Sequence, residues 1–172
     1  MNCERNPEHN FKVPNLIGMQ SNNLCWNLRN LEETICFGEN LIRKLPKIKL
    51  LLLEGELGAG KTSIVKGIAK GIGINEPITS PTFALAQHYT RSKPPLIHLD
   101  LYRLENPQFA NELFLQEEEE AISLGGLMIV EWPERLSLKL VEAWVAKIEY
   151  TNTEGRLLKL YPPLSARNSS TW

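Results

Sequence analysis

The sequence predicts an α/β fold with a mostly parallel central sheet and a β-hairpin near the C-terminus. Residues 48–54, 96–100 and 127–131 are short, largely apolar runs of the kind found in buried parallel strands. Segments with apolar residues at helical spacing separate these runs, and alternating strands and helices are typical of open α/β sheets. A glycine-rich segment follows the first run, as in folds that place an anion at the start of a helix.

That segment, residues 55–62, reads GELGAGKT and matches the G-x-x-x-x-G-K-[ST] pattern of phosphate-binding loops. Glycines let the backbone turn so that successive N–H groups point inward at an anion. Lys61 would place a positive charge on the outer phosphates, and the Thr62 hydroxyl is a hard oxygen ligand for Mg²⁺. The loop lies between the strand 48–54 and a predicted helix over 63–70. We therefore expect nucleotide phosphates at the N-terminus of this helix.

The domain is expected to span residues 24–161, with irregular tails at 1–23 and 162–172, because both ends are polar and contain prolines. An amphipathic helix is expected over 31–45, ending before Pro46. Proline and hydroxyl residues predict a loop after the phosphate-binding helix, and an Asn-Thr-Glu-Gly turn predicts the hairpin. The other predicted elements are a loop over 76–82, a strand over 83–89, a turn over 91–95, a helix over 106–120 and a hairpin of 145–150 and 156–161.

The composition fits one domain without a strong charge field. The 172 residues include 19 basic and 20 acidic side chains, so nucleic-acid binding through bulk charge is not expected. No apolar run has the length that crosses a membrane, and the N-terminus lacks the apolar segment of a secretory signal. The three cysteines have no metal-site spacing and fit reduced thiols in the cytosol: Cys3, Cys25 and Cys36. We expect a cytoplasmic protein.

Two acidic residues, Asp100 and Glu131, end predicted strands. In open α/β sheets, ligands bind outside the carboxyl ends of the strands, where the phosphate loop also lies. A strand-end acid is the usual partner of the loop threonine in holding Mg²⁺. Glu131 is the better candidate for that role, and Asp100 could orient or activate water. The alternative for either acid is a structural role in capping a turn.

Three other features have more ordinary interpretations. His98 lies in the middle of a predicted strand and is expected to be a core histidine with its hydrogen bonds satisfied. The four glutamates 117–120 are expected to form a solvated helix face, because adjacent helical residues do not converge on one metal. Trp132 directly follows Glu131, so it could either pack in the core or line the nucleotide site.

Four segments together resemble a known family more specifically than the loop alone does. In chain order they read GELGAGKT at 55–62, SPTF at 80–83, HLDLYRL at 98–104 and EWPER at 131–135. In this order and spacing they resemble the motifs of the TsaE (YjeE) family, the P-loop ATPase of bacterial tRNA threonylcarbamoyladenosine biosynthesis. The resemblance extends over about 31–160 and leaves both tails outside it.

The resemblance implies a P-loop NTPase-like fold with helices on both faces of the sheet, and slow, Mg²⁺-dependent hydrolysis of ATP. It implies TsaB and TsaD as partners, which transfer a threonylcarbamoyl group to adenosine 37 of tRNAs that read codons beginning with A. The expected role is ATP-driven cycling of that assembly, with any tRNA contact made indirectly through the complex.

Carried onto this sequence, the resemblance makes Thr62 and Glu131 the Mg²⁺ ligands and gives Asp100 a part in hydrolysis. Lys61 completes the catalytic set, and 80–83 resembles a switch loop. The residues expected to bind the nucleotide are Gly58, Ala59, Gly60, Lys61, Thr62, Ser63, Trp132, Thr34 near the base and Arg156, a late basic residue.

Two other classes of function are open from the residues alone. A small-molecule kinase with a phosphate loop would need an acceptor pocket, which no segment marks, and arginines over the transferred phosphate. A nucleotide-gated binding module, in which hydrolysis is only a timer, is close to the TsaE role. A GTPase is disfavoured, because no Asn-Lys-x-Asp sequence for guanine recognition is present.

Overall fold

The computed structural model describes residues 24–151 and 155–167, in which helices separate most of the strands. The strands there are β1 (Leu24–Leu28), β2 (Leu50–Gly55), β3 (Ala86–Tyr89), β4 (Leu96–Asp100), β5 (Leu127–Glu131), β6 (Trp144–Tyr150) and β7 (Arg156–Tyr161). The α-helices there are α1 (Leu31–Lys44), α2 (Lys61–Gly71), α3 (Pro107–Ser123) and the single turn α4 (Leu164–Arg167), and a short 3-10 helix, Pro133–Arg135, follows β5.

The described strands form one sheet in the order β1-β7-β6-β2-β5-β4-β3. The four central strands, β6, β2, β5 and β4, are parallel to one another, whereas β7, β1 and β3 pair antiparallel at the two sides. The predicted mostly parallel sheet with a terminal hairpin is therefore confirmed. Because parallel strands end at the same edge of a sheet, the last residues of β2, β4 and β5 lie side by side.

Apolar side chains cover both faces of this sheet. On one face the core includes Phe37 of α1 and Ile64 and Ile68 of α2. On the other face it includes Phe114 of α3, with Leu136 from the segment after β5 packed against it. Helices on both faces of the sheet, as predicted, are confirmed. Within the described ranges, no helix is both long enough and apolar enough to cross a membrane.

Helix α1 packs unusually closely on α2, the helix that begins at the phosphate loop. A Cβ at Gly67 would lie 2.0 Å from the carbonyl oxygen of Ile35, so only glycine permits this approach. Glu39 of α1 is 3% exposed, and its carboxylate contacts Arg43 at 2.6 Å and Lys70 of α2 at 2.8 Å. These contacts hold the middle of α1 against the second half of α2.

Two strands differ most from the prediction, whereas the ends of β2 and β6 differ from it by one or two residues. Strand β1 was not predicted, although Leu24, Trp26 and Leu28 are buried and alternate with exposed residues. Its five residues pair with β7, which lies near the other end of the described chain, and local sequence does not specify such a contact. Strand β3 begins at Ala86, three residues later than the predicted 83–89, because Leu85 has φ 67°, outside the extended region.

The helical regions also differ in detail. Helix α3 continues to Ser123, three residues beyond the predicted end, and α4 forms one helical turn in a segment expected to be irregular. The interpretation of 117–120 as solvated is wrong for Glu117, which is 6% exposed and lies 2.6 Å from His88 Nε2. The predicted tail 1–23, the hairpin turn residues 152–154 and the chain end 168–172 lie outside the described residues.

Candidate nucleotide and magnesium site

The phosphate loop connects β2 to α2, so its backbone lies at the N-terminus of a helix. Gly60 has φ +111°, a left-handed conformation that a residue with a side chain rarely adopts. A Cβ at Gly60 would lie 3.4 Å from Thr34 Cγ2 and 3.5 Å from Arg156 Nε. The sharp turn of the loop is therefore enclosed by α1 and β7 as well as by its own strand and helix.

Thr34 and Arg156, both predicted to lie near the nucleotide, contact the loop rather than line the cleft in front of it. Thr34 is fully buried, and its hydroxyl donates to the carbonyl of Asn30 at 3.0 Å. Arg156 Nε donates to the carbonyl of Ala59 at 2.7 Å. Ala59 is also fully buried, so only its backbone is available to a phosphate. These residues hold the shape of the loop.

Lys61 lies in a folded-back position at the start of α2. Only 4% of it is exposed, and its ammonium donates to the carbonyls of Gly55 at 2.7 Å and Glu56 at 2.9 Å. The same nitrogen lies 3.8 Å from the centre of the Trp132 ring, within the range of a cation–π contact. Burial lowers the pKa of Lys61 from its ordinary value of 10.5, although the carboxylates of nearby acids oppose the shift.

Trp132 has an unusual backbone conformation for an aromatic residue, with φ 61° and ψ 49° in the left-handed region. It directly follows β5, and its N–H donates to the carbonyl of Leu53 at 3.3 Å. Its ring contacts Lys61 on one side and the ring of Tyr102, at 4.9 Å between centroids, on the other. Trp132 therefore lines the cleft, and it also packs against the core on the α3 face of the sheet.

Thr62 and Glu131, the predicted Mg²⁺ ligands, are in direct contact. The Thr62 hydroxyl donates to Glu131 Oε1 at 2.8 Å, which leaves the lone pairs of the hydroxyl oxygen available to a metal. Among the described residues, no group of three or more His, Cys, Asp or Glu side chains could hold a metal. Mg²⁺ at nucleotide sites needs only one or two protein oxygens, together with phosphates and water, so this donor pair fits it.

Asp100 lies beside Glu131, because these residues are register partners at the ends of β4 and β5. The Asp100 carboxylate accepts hydrogen bonds from the Ser80 hydroxyl and, at 2.8 Å, from the Thr82 hydroxyl. Its other oxygen accepts from the Tyr102 N–H at 3.0 Å. The segment 80–83, which resembles a switch loop, is thus tied to the acid that is expected to support hydrolysis.

These side chains surround one cleft of about 350 Å³. It brings together the predicted residues of the loop except Ala59, both acids and Trp132, and it adds side chains that the sequence did not single out. The residues that line it are Leu57, Gly58, Gly60, Lys61, Thr62, Ser63, Ser80, Thr82, Asp100, Tyr102, Glu131 and Trp132.

Two tyrosines near the site were missed by sequence reasoning. Tyr102 lies two residues after Asp100, and its place in the segment 98–104 was the signal that could have identified it. Tyr150 ends β6, and its hydroxyl donates to the carbonyl of Leu57 at 3.3 Å. Nothing local marks Tyr150, because its contact with the loop depends on the pairing of β6 with β2.

Comparisons with known proteins identify the family of this chain. A family model described as "Threonylcarbamoyl adenosine biosynthesis protein TsaE" matches residues 28–158. A protein of Nostoc, named tRNA threonylcarbamoyladenosine biosynthesis protein TsaE, is 47% identical over 65% of this chain and 69% of its own length. A protein of the same name from Synechocystis is 43% identical over 69% of this chain and 75% of its own length.

Among solved structures, the crystal structure of YdiB from Bacillus subtilis is similar with a TM-score of 0.62 and 27% sequence identity. The similarity covers 88% of this chain and 100% of that chain. The family model spans all four motif segments, from the phosphate loop to the strand-end glutamate and the residues after it. The resemblance drawn from these motifs is confirmed, and the chain belongs to the TsaE family.

Proposed function

We propose that this chain is a cytoplasmic, Mg²⁺-dependent ATPase of tRNA threonylcarbamoyladenosine biosynthesis. The observation that carries the proposal is the 2.8 Å contact between Thr62 Oγ1 and Glu131 Oε1, at the start of the helix after the phosphate loop. Membership of the TsaE family supports the pathway, because the relatives from Nostoc and Synechocystis are named for it.

Nucleotide phosphates would bind to the backbone N–H groups of residues 58–63 and to the Lys61 ammonium. In the structure this ammonium donates to two loop carbonyls and contacts the Trp132 ring. A phosphate oxygen is a stronger, charge-assisted partner than a carbonyl, so Lys61 would transfer its hydrogen bonds to the nucleotide. The folded-back lysine thus keeps its charge satisfied until phosphate arrives.

Thr62 and Glu131 would hold Mg²⁺ beside the outer phosphates. When bound, the ion would neutralise charge on those phosphates and on the leaving group. Asp100 would orient the attacking water and accept its proton, because its carboxylate lies beside Glu131 on the wall of the cleft. Nothing in the cleft lining marks a site for a second substrate, so water is the acceptor we propose.

Nucleotide state would be communicated to partners through the segment 80–83. Ser80 and Thr82 contact Asp100, and the neighbouring Phe83 is 89% exposed. A nucleotide that changes the hydrogen bonds of Asp100 would move these hydroxyls and the exposed ring with them. We propose that this coupling drives ATP-dependent cycling of a TsaB–TsaD assembly, with tRNA contacted only through that assembly.

Calorimetry with ADP and Mg²⁺ tests the nucleotide site. Lys61→Ala should weaken binding roughly ten- to 150-fold, the effect of losing a charge-assisted hydrogen bond. Lys66→Ala is the matched control, because Lys66 lies on the same helix and is exposed. Equal affinities of the wild type and Lys61→Ala would refute the assignment of the loop. Release of free phosphate from ATP, rather than transfer to an added acceptor, separates the ATPase from a kinase.

The pathway is tested separately, by depleting the protein from its host cells. Threonylcarbamoyladenosine in digested tRNA, measured by mass spectrometry, should fall and should be restored by the wild type but not by Lys61→Ala. An unchanged level of the modified nucleoside after depletion would refute the pathway while leaving the ATPase proposal intact.

A further inference from the structure

His98 is a fully buried titratable residue that the proposed mechanism does not use. It lies in the middle of β4, on the sheet face that packs against α1 and α2, where its strand neighbours are apolar. The sequence alone predicted a core histidine with satisfied hydrogen bonds. Only half of that prediction is correct: Nε2 lies 2.9 Å from Glu131 Oε1, whereas Nδ1 has no hydrogen-bond partner among the described residues.

This pattern of partners assigns the tautomer of the ring. A carboxylate can only accept, so Nε2 is assigned the N–H that is donated to Glu131. Nδ1 is the ring nitrogen without a partner, so the ring's one hydrogen bond is directed at the glutamate. A histidine required only to fill space would not need its one hydrogen bond aimed at a carboxylate that ends the neighbouring strand.

The hydrogen bond from His98 converges with that from Thr62 on one oxygen. Glu131 Oε1 accepts from His98 Nε2 at 2.9 Å and from Thr62 Oγ1 at 2.8 Å. Two donors from different elements, β4 and α2, therefore fix the rotation of one carboxylate. Because Glu131 is only 3% exposed, water has little access to replace either donor.

We infer that His98 is a positioning residue for Mg²⁺: it holds the Glu131 carboxylate in the orientation in which it and Thr62 receive the ion. The inference rests on the proposed magnesium site. Residues that orient a metal ligand commonly change metal affinity ten- to 100-fold when they are replaced. His98 would thus act on the metal and leave the nucleotide-binding backbone of the loop unaffected.

The test compares Mg²⁺ dependence with Mg²⁺-free nucleotide binding, using fluorescently labelled ADP and anisotropy. His98→Leu fills the space without a donor and should raise the Mg²⁺ concentration at half-saturation about tenfold. Its affinity for ADP in EDTA should stay within about twofold of the wild type, which a general structural defect would not allow. His98→Gln, whose amide N–H can replace Nε2–H, should restore the midpoint to within about threefold.

Leu99→Ala is the control for damage to β4, because Leu99 is buried on the opposite face of the sheet. It should lower thermal stability and leave the Mg²⁺ midpoint in place. If His98→Leu does not fold, His98→Asn replaces it, since the shorter amide cannot reach Glu131.

An unchanged Mg²⁺ midpoint in His98→Leu would overturn the role of His98. An equal loss of ADP affinity with and without Mg²⁺ in that variant would also overturn it. The proposed function fails in a different way, because the wild type itself would then show no dependence on Mg²⁺.

Discussion

Asp100 and Glu131 are alike in sequence and in position, yet their surroundings differ. Each ends a buried parallel strand, the strands are neighbours, and the two residues are register partners. Both are almost fully buried, at 2% and 3% exposure. Glu131 accepts hydrogen bonds from α2 and from the middle of β4, whereas Asp100 accepts side-chain hydrogen bonds from the loop 80–83.

The difference lies in what each acid is attached to. The partners of Glu131, Thr62 and His98, are on a helix and a strand packed into the core. The hydroxyl partners of Asp100 are on a connecting segment in which Ser80 and Phe83 are exposed. Segments of that kind have lower local stability than packed elements. We therefore expect Glu131 to keep one arrangement and Asp100 to change its contacts with nucleotide state.

The largest effect is expected at Asp100. Asp100→Ala should lower ATP turnover by about 100-fold or more, the usual contribution of a residue that positions or deprotonates the nucleophile. ADP affinity should stay within about twofold, because the phosphate-binding loop and Lys61 are unchanged. Phosphate release under single-turnover conditions measures the first quantity and calorimetry the second. Glu105→Ala, which removes an exposed acid from the segment after β4, is the matched control.

A second prediction concerns Glu131 and has a smaller effect on a different quantity. Glu131→Ala should raise the Mg²⁺ concentration needed for half-maximal nucleotide binding roughly ten- to 100-fold, because the metal loses a carboxylate and Thr62 loses its acceptor. Binding in EDTA should change little. If Glu131→Ala affected turnover alone and Asp100→Ala affected Mg²⁺ dependence, the two roles would have to be exchanged.

The pH dependence of binding provides a third, smaller effect. Phosphate favours the charged form of Lys61, so ADP affinity should fall as pH rises through the pKa of the free lysine. Burial lowers that pKa from the ordinary 10.5, so the fall should begin at a lower pH than an exposed lysine would give. Lys61→Ala should bind weakly at every pH and lack this slope. The same slope in both proteins would assign it to another group.

The sequence predicted those parts of the site that depend on local pattern. The phosphate loop, the strands before Asp100 and Glu131 and the parallel centre of the sheet follow from apolar runs and from glycine spacing. Contacts set by register were not predictable in this way. His98 reaches Glu131 because β4 and β5 are parallel with Asp100 opposite Glu131.

The positions of Thr34 and Arg156, which contact the phosphate loop from α1 and β7, also result from tertiary packing. Thr34 and Arg156, which were predicted near the nucleotide, contact the loop at Gly60 and Ala59. The close approach of α1 to α2 brings Thr34 there, and the pairing of β7 with β6 brings Arg156. The local sequence around Thr34 or Arg156 does not predict how close either residue lies to the loop. It also carries no signal for the left-handed backbone of Trp132, which a proline follows.

The smallest expected effect is at Trp132, which lies near both acids. It follows Glu131, and its ring contacts the ring of Tyr102, two residues after Asp100. Because its other neighbour is the Lys61 ammonium, nucleotide binding should change its fluorescence as that ammonium moves to phosphate. A desolvated cation–π contact is worth about 2 kcal/mol, and a phenylalanine ring would keep part of it, so Trp132→Phe should change ADP affinity by less than about tenfold.

The variants that keep or lose this fluorescence change show whether nucleotide binding and ATP hydrolysis are separate steps. Trp132→Phe should abolish the nucleotide-dependent change, while Trp144→Phe, a half-buried tryptophan of β6, should retain it. Asp100→Ala should also retain it, because that acid is expected to act after binding, whereas Lys61→Ala should lose it. A signal lost in Asp100→Ala would mean that the loop 80–83 takes part in the binding step itself, and the contrast between a fixed Glu131 and a mobile Asp100 would then no longer hold.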